Sequence, residues 1–363
     1  MENKTQNYHE ILAIVKLLQA ITFLVLLAVV VIGITLVEVY TGVFSRVFKS
    51  SQIIATNNNS QPLLKEKPDY WTAPDTATIP NTPEGELIRY GRNLIAHTAE
   101  YLGQNGSVMQ ISNGMNCQNC HLEAGTKPYG NNYGSVASTY PKFRARSGTN
   151  ETIVKRVNDC FERSLNGKAL DSNSREMKAI VAYIKWLGKD VPKEQTVKGS
   201  GIVDLPFLDR AASPEKGKLV YEQKCAVCHK KDGSGEPKPN SKEWLYPPLW
   251  GEKSYNHGAG MYRISRLAGY VKYNMPLGVK YPNSQLTDEE AWDVAAYINS
   301  MPRPAKDLSK DWPDITKKPL DHPFGPFADG FDEKQHKFGP FAPIKAKREA
   351  MEKSKQSIKI AQK

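Results

Sequence analysis

Two Cys-x-x-Cys-His pentads constrain this chain more than any other feature. They are Cys117-Gln-Asn-Cys120-His121 and Cys225-Ala-Val-Cys228-His229, and together they use four of the chain's five cysteines. The spacing lets two thiols bond the vinyl carbons of a haem while the adjacent histidine ligates its iron. Short-range disulfides would leave both histidines unexplained, and a zinc site built from the two Cys-x-x-Cys pairs would not need them either. The pentads therefore predict two covalently attached c-type haems, held by Cys117, Cys120, Cys225 and Cys228, with His121 and His229 as iron ligands. Each porphyrin adds apolar core that the polypeptide need not supply, so two modest domains suffice.

The formal net charge of +11 points to an anionic substrate, an acidic partner or an anionic membrane surface. Nucleic acid is set aside as a partner, because the basic residues are spread along the chain with no recognition motif beside them.

Between Lys16 and Glu38 runs an uncharged apolar stretch, Leu17 through Val37. It matches the roughly 20 residues needed to cross a bilayer's hydrocarbon core. No small-residue cleavage site precedes Glu38, which favours a retained anchor over a removed signal peptide. The flanking basic residues are balanced, Lys4 and Lys16 before and Arg46 and Lys49 after, so they do not set the topology. The haems set it: such pentads are loaded outside the bacterial cytoplasmic membrane. The expected arrangement is a cytoplasmic N-terminus (1–16), a single-pass inner-membrane anchor (17–40), a tether (41–75) and haem domains in the periplasm.

Apolar residues at helical spacing (Leu87, Ile88, Leu94, Ile95) predict a helix from Pro83 ahead of the first pentad. A second helix is expected to open at Thr149 to Glu151 and to carry Ile153, Val157, Cys160, Phe161 and Leu165. A third covers Ser174 to Leu187. After a Pro/Gly-rich linker the plan repeats: a short helix (Pro214 to Gln223), the second pentad, a long loop, and a closing helix from Thr287 to Met301. Thr287 and Glu290 form a capping-box pattern at its start. The closing segments Val181-Ala-Tyr-Ile-Lys-Trp-Leu187 and Val294-Ala-Ala-Tyr-Ile-Asn-Ser-Met301 look like one element used twice. The expected fold is mainly α: two tandem cytochrome c-type domains, at 76–195 and 210–302, joined by a linker at 196–209 and following an N-terminal transmembrane helix. Residues 303–363 lack a periodic core and read as an extended basic tail.

Each pentad supplies one axial ligand, and the opposite one sets potential and reactivity. Met275, followed by Pro276 and lying ahead of the closing helix, is the candidate in the second domain, with His257 and Met261 as alternatives. The first domain offers no comparable methionine, and Cys160 is its candidate. Arg156, Arg163 and Ser164 share its helix face or margin, and an arginine-flanked thiol is biased toward thiolate, the form that binds metal or attacks sulfur.

Several stretches together resemble the thiosulfate dehydrogenase family of dihaem cytochromes. They are Gly85-Glu-Leu-Ile-Arg-Tyr-Gly-Arg92, Asn113-Gly-Met-Asn-Cys-Gln-Asn-Cys-His-Leu-Glu-Ala-Gly125, Tyr140-Pro-Lys-Phe-Arg-Ala-Arg-Ser-Gly148, Asn158-Asp-Cys-Phe-Glu-Arg-Ser-Leu-Asn-Gly167 and Glu333-Lys-Gln-His-Lys-Phe-Gly-Pro-Phe341. The resemblance runs from about Trp71 to Ile344 and is most specific around Cys160. It implies that Cys160 ligates the first haem, where substrate reacts, that Arg146, Arg156 and Ser164 shape an anion pocket, and that Met275 serves the second haem. It also implies joining of two thiosulfates into tetrathionate, with the reverse direction left open. Electrons would leave through the second haem to a cytochrome c or equivalent partner. Asn274 stands where some relatives have a lysine that exchanges with the methionine. The competing readings are a SoxA-like sulfur-oxidation subunit, a dihaem electron carrier without a substrate site, and a dihaem peroxidase, which would be longer and carry a calcium site.

Overall fold

The computed structural model describes residues 16–33 and 69–361, and the chain divides into two units, Met1–Lys67 and Pro68–Lys363. In the first, helix α1 (Lys16–Gly33) has a mean hydropathy of 2.4 and buries none of its length against protein. It is long and apolar enough to cross a membrane. The segment expected to be cytoplasmic before Lys16, the rest of the expected anchor up to residue 40, and the expected tether as far as residue 68 lie outside the described residues.

The second unit holds two helical domains built on one plan. The first carries α2 (Pro83–Ala96), α3 (Ile153–Arg163) and α4 (Arg175–Leu187); the second carries α5 (Pro214–Lys224), α6 (Ile264–Asn274) and α7 (Asp288–Ser300). In the first, α2 starts at Thr82, whose hydroxyl accepts the Gly85 N–H, with Pro83 and two acidic residues in the opening turn. Its stripe of Ile88, Gly91, Leu94 and Ile95 is buried against α4. The helices approach so closely that a Cβ on Gly91 would lie 1.9 Å from the Ala179 carbonyl oxygen. Gly217 of α5 meets the Asp293 carbonyl oxygen of α7 at 1.8 Å in the same sense. The repeated plan thus rests on a glycine at each crossing of the opening and closing helices. Leu94, Phe161, Met177 and Ile180 fill the first core, and Tyr221, Ile264, Trp292 and Ile298 the second. At α7 the Glu290 N–H donates to Thr287 Oγ1 (3.1 Å) and the Thr287 N–H to Glu290 Oε2 (2.8 Å), which completes the capping box.

The two domains share a polar seam. Glu243, next to the short strand Trp244–Tyr246, accepts from Asn116 Nδ2 (3.0 Å) and pairs with His97 Nδ1 (2.8 Å). Asn256 of the second domain donates through Nδ2 to the Glu162 carbonyl (2.9 Å), closing the end of α3.

Two local expectations need correction. Thr149 to Glu151 is not the start of a helix. It forms strand β2 (Thr149–Glu151), antiparallel to β1 (Lys142–Arg144). The Thr152 hydroxyl accepts the Lys155 N–H at 3.2 Å and so fixes the helix start one residue later. The segment 303–363 is basic but not an extended tail, because it ends in helix α8 (Phe341–Ala361). Phe341 and Ile344 enter the second core, Asp321 binds Arg263 and Ser265, and the buried Asp329 holds both His336 and Arg348. A few well-placed apolar and acidic residues anchor a segment whose composition shows no periodic core.

Candidate functional site

The first pentad opens onto a partly open cavity of about 160 Å³. Cys117, Cys120 and His121 face it from one side and Cys160 of α3 from another, with Ile95, Val136, Ile180 and Ile184 among its apolar walls. Burial pushes the Cys117 and Cys120 thiols up to about 12, so both stay neutral and suit thioether bonds rather than an ionic metal site. His121 Nδ1 lies 2.6 Å from the Asn131 carbonyl, which fixes that nitrogen as the donor and leaves Nε2 free as a ligand. Burial lowers its pKa to about 4, so the ring is neutral, and Tyr133 stacks on it at 4.5 Å. No three His, Cys, Asp or Glu side chains among the described residues converge tightly enough to hold a bare ion. A large apolar cavity, two neutral thiols and a pre-oriented imidazole fit a covalently bound haem.

On α3, Arg156, Cys160 and Ser164 recur every four residues and all three line the cavity. Cys160 is the chief influence holding the Arg156 guanidinium above its ordinary range, ahead of Tyr140, Asp159 and Glu151 and against the effect of burial. Arg156 is therefore the cation that stands beside this cysteine on the cavity wall.

Arg146 sits on the turn between β1 and β2. It lines a neighbouring small cavity of about 10 Å³ with His257, Arg263, Asp311 and His322, not the cavity that Cys160 faces. Burial, then repulsion from Arg163 and Arg156, lowers its pKa to about 10. Arg163 is clamped by Asp311 in a bidentate pair at 2.9 and 2.8 Å, and Arg146 Nε is 4.0 Å from the same carboxylate. Trp312 donates its backbone N–H to the Arg146 carbonyl at 2.7 Å and lays its ring under the guanidinium at 5.8 Å. Its backbone φ of +60° is a strained value for so bulky a residue. Of these three arginines Arg156 alone lines the first cavity, while Arg146 feels the charge of both others, and one carboxylate from the C-terminal segment restrains Arg146 and Arg163. Sequence reasoning missed Asp311 and Trp312, which carry no local signal. It saw Arg163 only as a neighbour of Cys160.

The second pentad repeats the imidazole geometry. His229 Nδ1 is 2.8 Å from the Pro247 carbonyl, burial lowers the ring's pKa, and burial raises the Cys225 thiol to about 11. Cys228 completes this pentad, and Val227 within it is 80 % exposed, so the edge of the site meets solvent. Met275 ends α6 with its N–H on the Val271 carbonyl (3.0 Å) and packs against the second core. Of the alternatives, His257 stacks on Tyr262 and leans on Phe324, and Met261 is buried in the core.

Comparison with known proteins agrees with this two-domain plan. Residues 107–192 match the family model of the SoxA/TsdA cytochrome c domain, and residues 214–302 match that of cytochrome c. The thiosulfate dehydrogenase of Psychrobacter arcticus is 40% identical over 243 residues, which cover 66% of this chain and 71% of that protein. This chain belongs to the thiosulfate dehydrogenase family. The thiosulfate dehydrogenase of Allochromatium vinosum is 38% identical over 237 residues, 64% of this chain and 84% of its own length. Among solved structures, the thiosulfate dehydrogenase TsdBA from Marichromatium purpuratum in its as-isolated form matches with a TM-score of 0.60 and 32% identity over 66% of this chain. The matched region is half of that longer chain. The two cytochrome c domains carry two covalently bound c-type haems.

Proposed function

We propose that this chain oxidises thiosulfate by joining two molecules through their sulfane sulfurs into tetrathionate at the first haem. The observation that carries the reading is Cys160, paired with Arg156 on the wall of the cavity that the first pentad faces. Cys117 and Cys120 would hold that haem, with His121 and Cys160 as iron ligands; Cys225, Cys228, His229 and Met275 would serve the second. When bound, the two haems supply a one-electron acceptor each, enough for the two electrons released. Both thiosulfates are dianions and repel one another, so the arginine cluster is what allows them to meet. Guanidinium groups match sulfonate oxygens with paired hydrogen bonds.

The sulfur chemistry falls to Cys160. Its thiolate bonds the sulfane sulfur of the first thiosulfate, an oxidation whose two electrons the bound haems would accept. The sulfane sulfur of the second thiosulfate then attacks the Cys160-bound sulfur, tetrathionate departs, and the thiolate returns. Arg156 neutralises that thiolate between steps, while Ser164 offers a hydroxyl to the same space. Arg146 and Arg163 supply positive charge on the approach, under the restraint of Asp311. Electrons would leave through the second domain to a cytochrome c-type partner. Helix α1 would anchor the chain in the inner membrane with the haem domains in the periplasm.

The experiment is direct. Purified protein given thiosulfate and an artificial one-electron acceptor should form one tetrathionate for every two electrons transferred. Reduction of the haems with no tetrathionate would return the chain to the carrier reading. A requirement for a separate sulfur-carrier protein would favour the SoxA-like one.

A further inference from the structure

The loop that orients His121 in the first domain is also tied to the loop that presents Met275 in the second. Residues 127–131 follow the first pentad closely, and the Asn131 carbonyl holds His121 Nδ1 at 2.6 Å. Four residues earlier, the buried Lys127 donates through Nζ to the Val279 carbonyl at 2.8 Å. Between them, the Tyr129 carbonyl accepts from Asn274 Nδ2 at 3.1 Å, and the Tyr129 ring meets Tyr281 at 4.0 Å. Tyr129 and Asn131 both adopt left-handed backbone, with φ of +56° and +59°. Such conformations persist only where surrounding contacts enforce them. Here the Tyr129 N–H donates to the Gly199 carbonyl (2.7 Å) and the Asn131 N–H to the Gly201 carbonyl (2.9 Å).

Met275 to Val279 is otherwise lightly held. Leu277 at its apex is 69 % exposed. Its near end hangs from α6 through the Met275 N–H on the Val271 carbonyl, and a short turn joins the Val279 N–H to the Pro276 carbonyl at 3.1 Å. The far end reaches the first domain through Lys127. A buried ammonium beside a buried carbonyl is costly to separate, because each leaves the other unsatisfied. Asn274, next to Met275, is fully buried, gives its amide to Tyr129, and leaves Oδ1 without a partner. The ligand loop of one domain is therefore fastened by the ligand loop of the other.

We propose that Lys127 is a positioning residue for the second haem: from the first domain it fixes the loop that presents Met275, so the state of that ligand depends on an element shared with His121. The inference rests on the reading of Met275 as iron ligand. The test uses full-length, doubly haem-loaded protein carrying Lys127→Met, which keeps the bulk and removes the donor. Three properties of the ferric second haem are read: its thioether-to-iron absorption band, its midpoint potential, and the imidazole concentration that displaces the thioether. Loss of a charged hydrogen bond predicts displacement at roughly tenfold lower imidazole or less, together with a lower midpoint potential, since thioether ligation raises it. Lys127→Arg, which keeps a donor, should stay near wild type. Met275→Ala is the control: if it leaves the band in place, the ligand assignment is wrong. If it removes the band while Lys127→Met leaves band, potential and imidazole affinity within twofold of wild type, the assignment stands and the clamp is overturned. Where Lys127→Met yields no haem-loaded protein, Asn274→Ala removes the tie to Tyr129 across the domains, along with a bond to the Tyr270 carbonyl within α6. It must shift imidazole affinity in the same direction, and no shift overturns the proposal.

Discussion

Replacing Asp311 with alanine should both destabilise the haem unit and change how its arginines titrate. The carboxylate makes two hydrogen bonds to Arg163, and the two side chains are only 11 % and 12 % exposed. Breaking a buried pair by removing one partner costs about 3–5 kcal/mol, and the residual solvent contact places this one near the lower limit, at about 3 kcal/mol. For a unit of this size that corresponds to a fall in Tm of roughly 6–12 °C. Arg146 gives a second, independent readout. Its folded-state pKa of about 10 lies below its ordinary value, so between pH 10 and that value the unfolded chain binds more protons, and stability rises with pH through this window. Below about pH 10 the guanidinium is charged in both states, and the cost of burying it is fully present. Asp311 is one of the groups that raise the Arg146 pKa, so its removal should move the titration lower. If Arg146 draws in thiosulfate, kcat/KM should decline on the alkaline side near pH 10 in the wild type, and at lower pH in Asp311→Ala. Differential scanning calorimetry and a pH series of initial rates would measure the two effects. A Tm change under about 1 °C with an unmoved alkaline limb would refute the clamp.

Two further perturbations address the scaffold and the anchor. Gly91→Ala should drive a methyl group into the Ala179 carbonyl and force α2 and α4 apart, costing about 3 kcal/mol in urea denaturation; a change below about 0.5 kcal/mol, the scatter of surface substitutions, would show that the crossing relaxes freely. The chain should fractionate with membranes, and protease added to spheroplasts should remove its haem part, whereas full protection of the haem domains would contradict the topology.

What could be read in the sequence was what is local along the chain. The pentads, the stripe of α2 and the Thr287–Glu290 capping box depend on residues within a turn or two of one another, so spacing alone reveals them. Cys160 was legible because Arg156 and Ser164 lie at helical spacing on either side. The short pairing of β1 with β2 was not, since neither three-residue strand shows the apolar alternation of a half-buried sheet. Nor was the clamp of Asp311 on Arg163, or that of Lys127 on Val279, where the partners are 148 and 152 residues apart. The C-terminal segment conceals its order for the same reason. Its anchors Asp311, Asp321 and Asp329 are isolated carboxylates whose partners lie in the folded body or further along the segment, and nothing beside them marks the pairing.

The account turns on Cys160 acting as the sulfur carrier. The most direct measurement is tetrathionate formation by Cys160→Ala protein in which both haems are verified as covalently attached. Turnover should be abolished while electron exchange at the second haem persists. Formation at a rate near that of the wild type would contradict the mechanism.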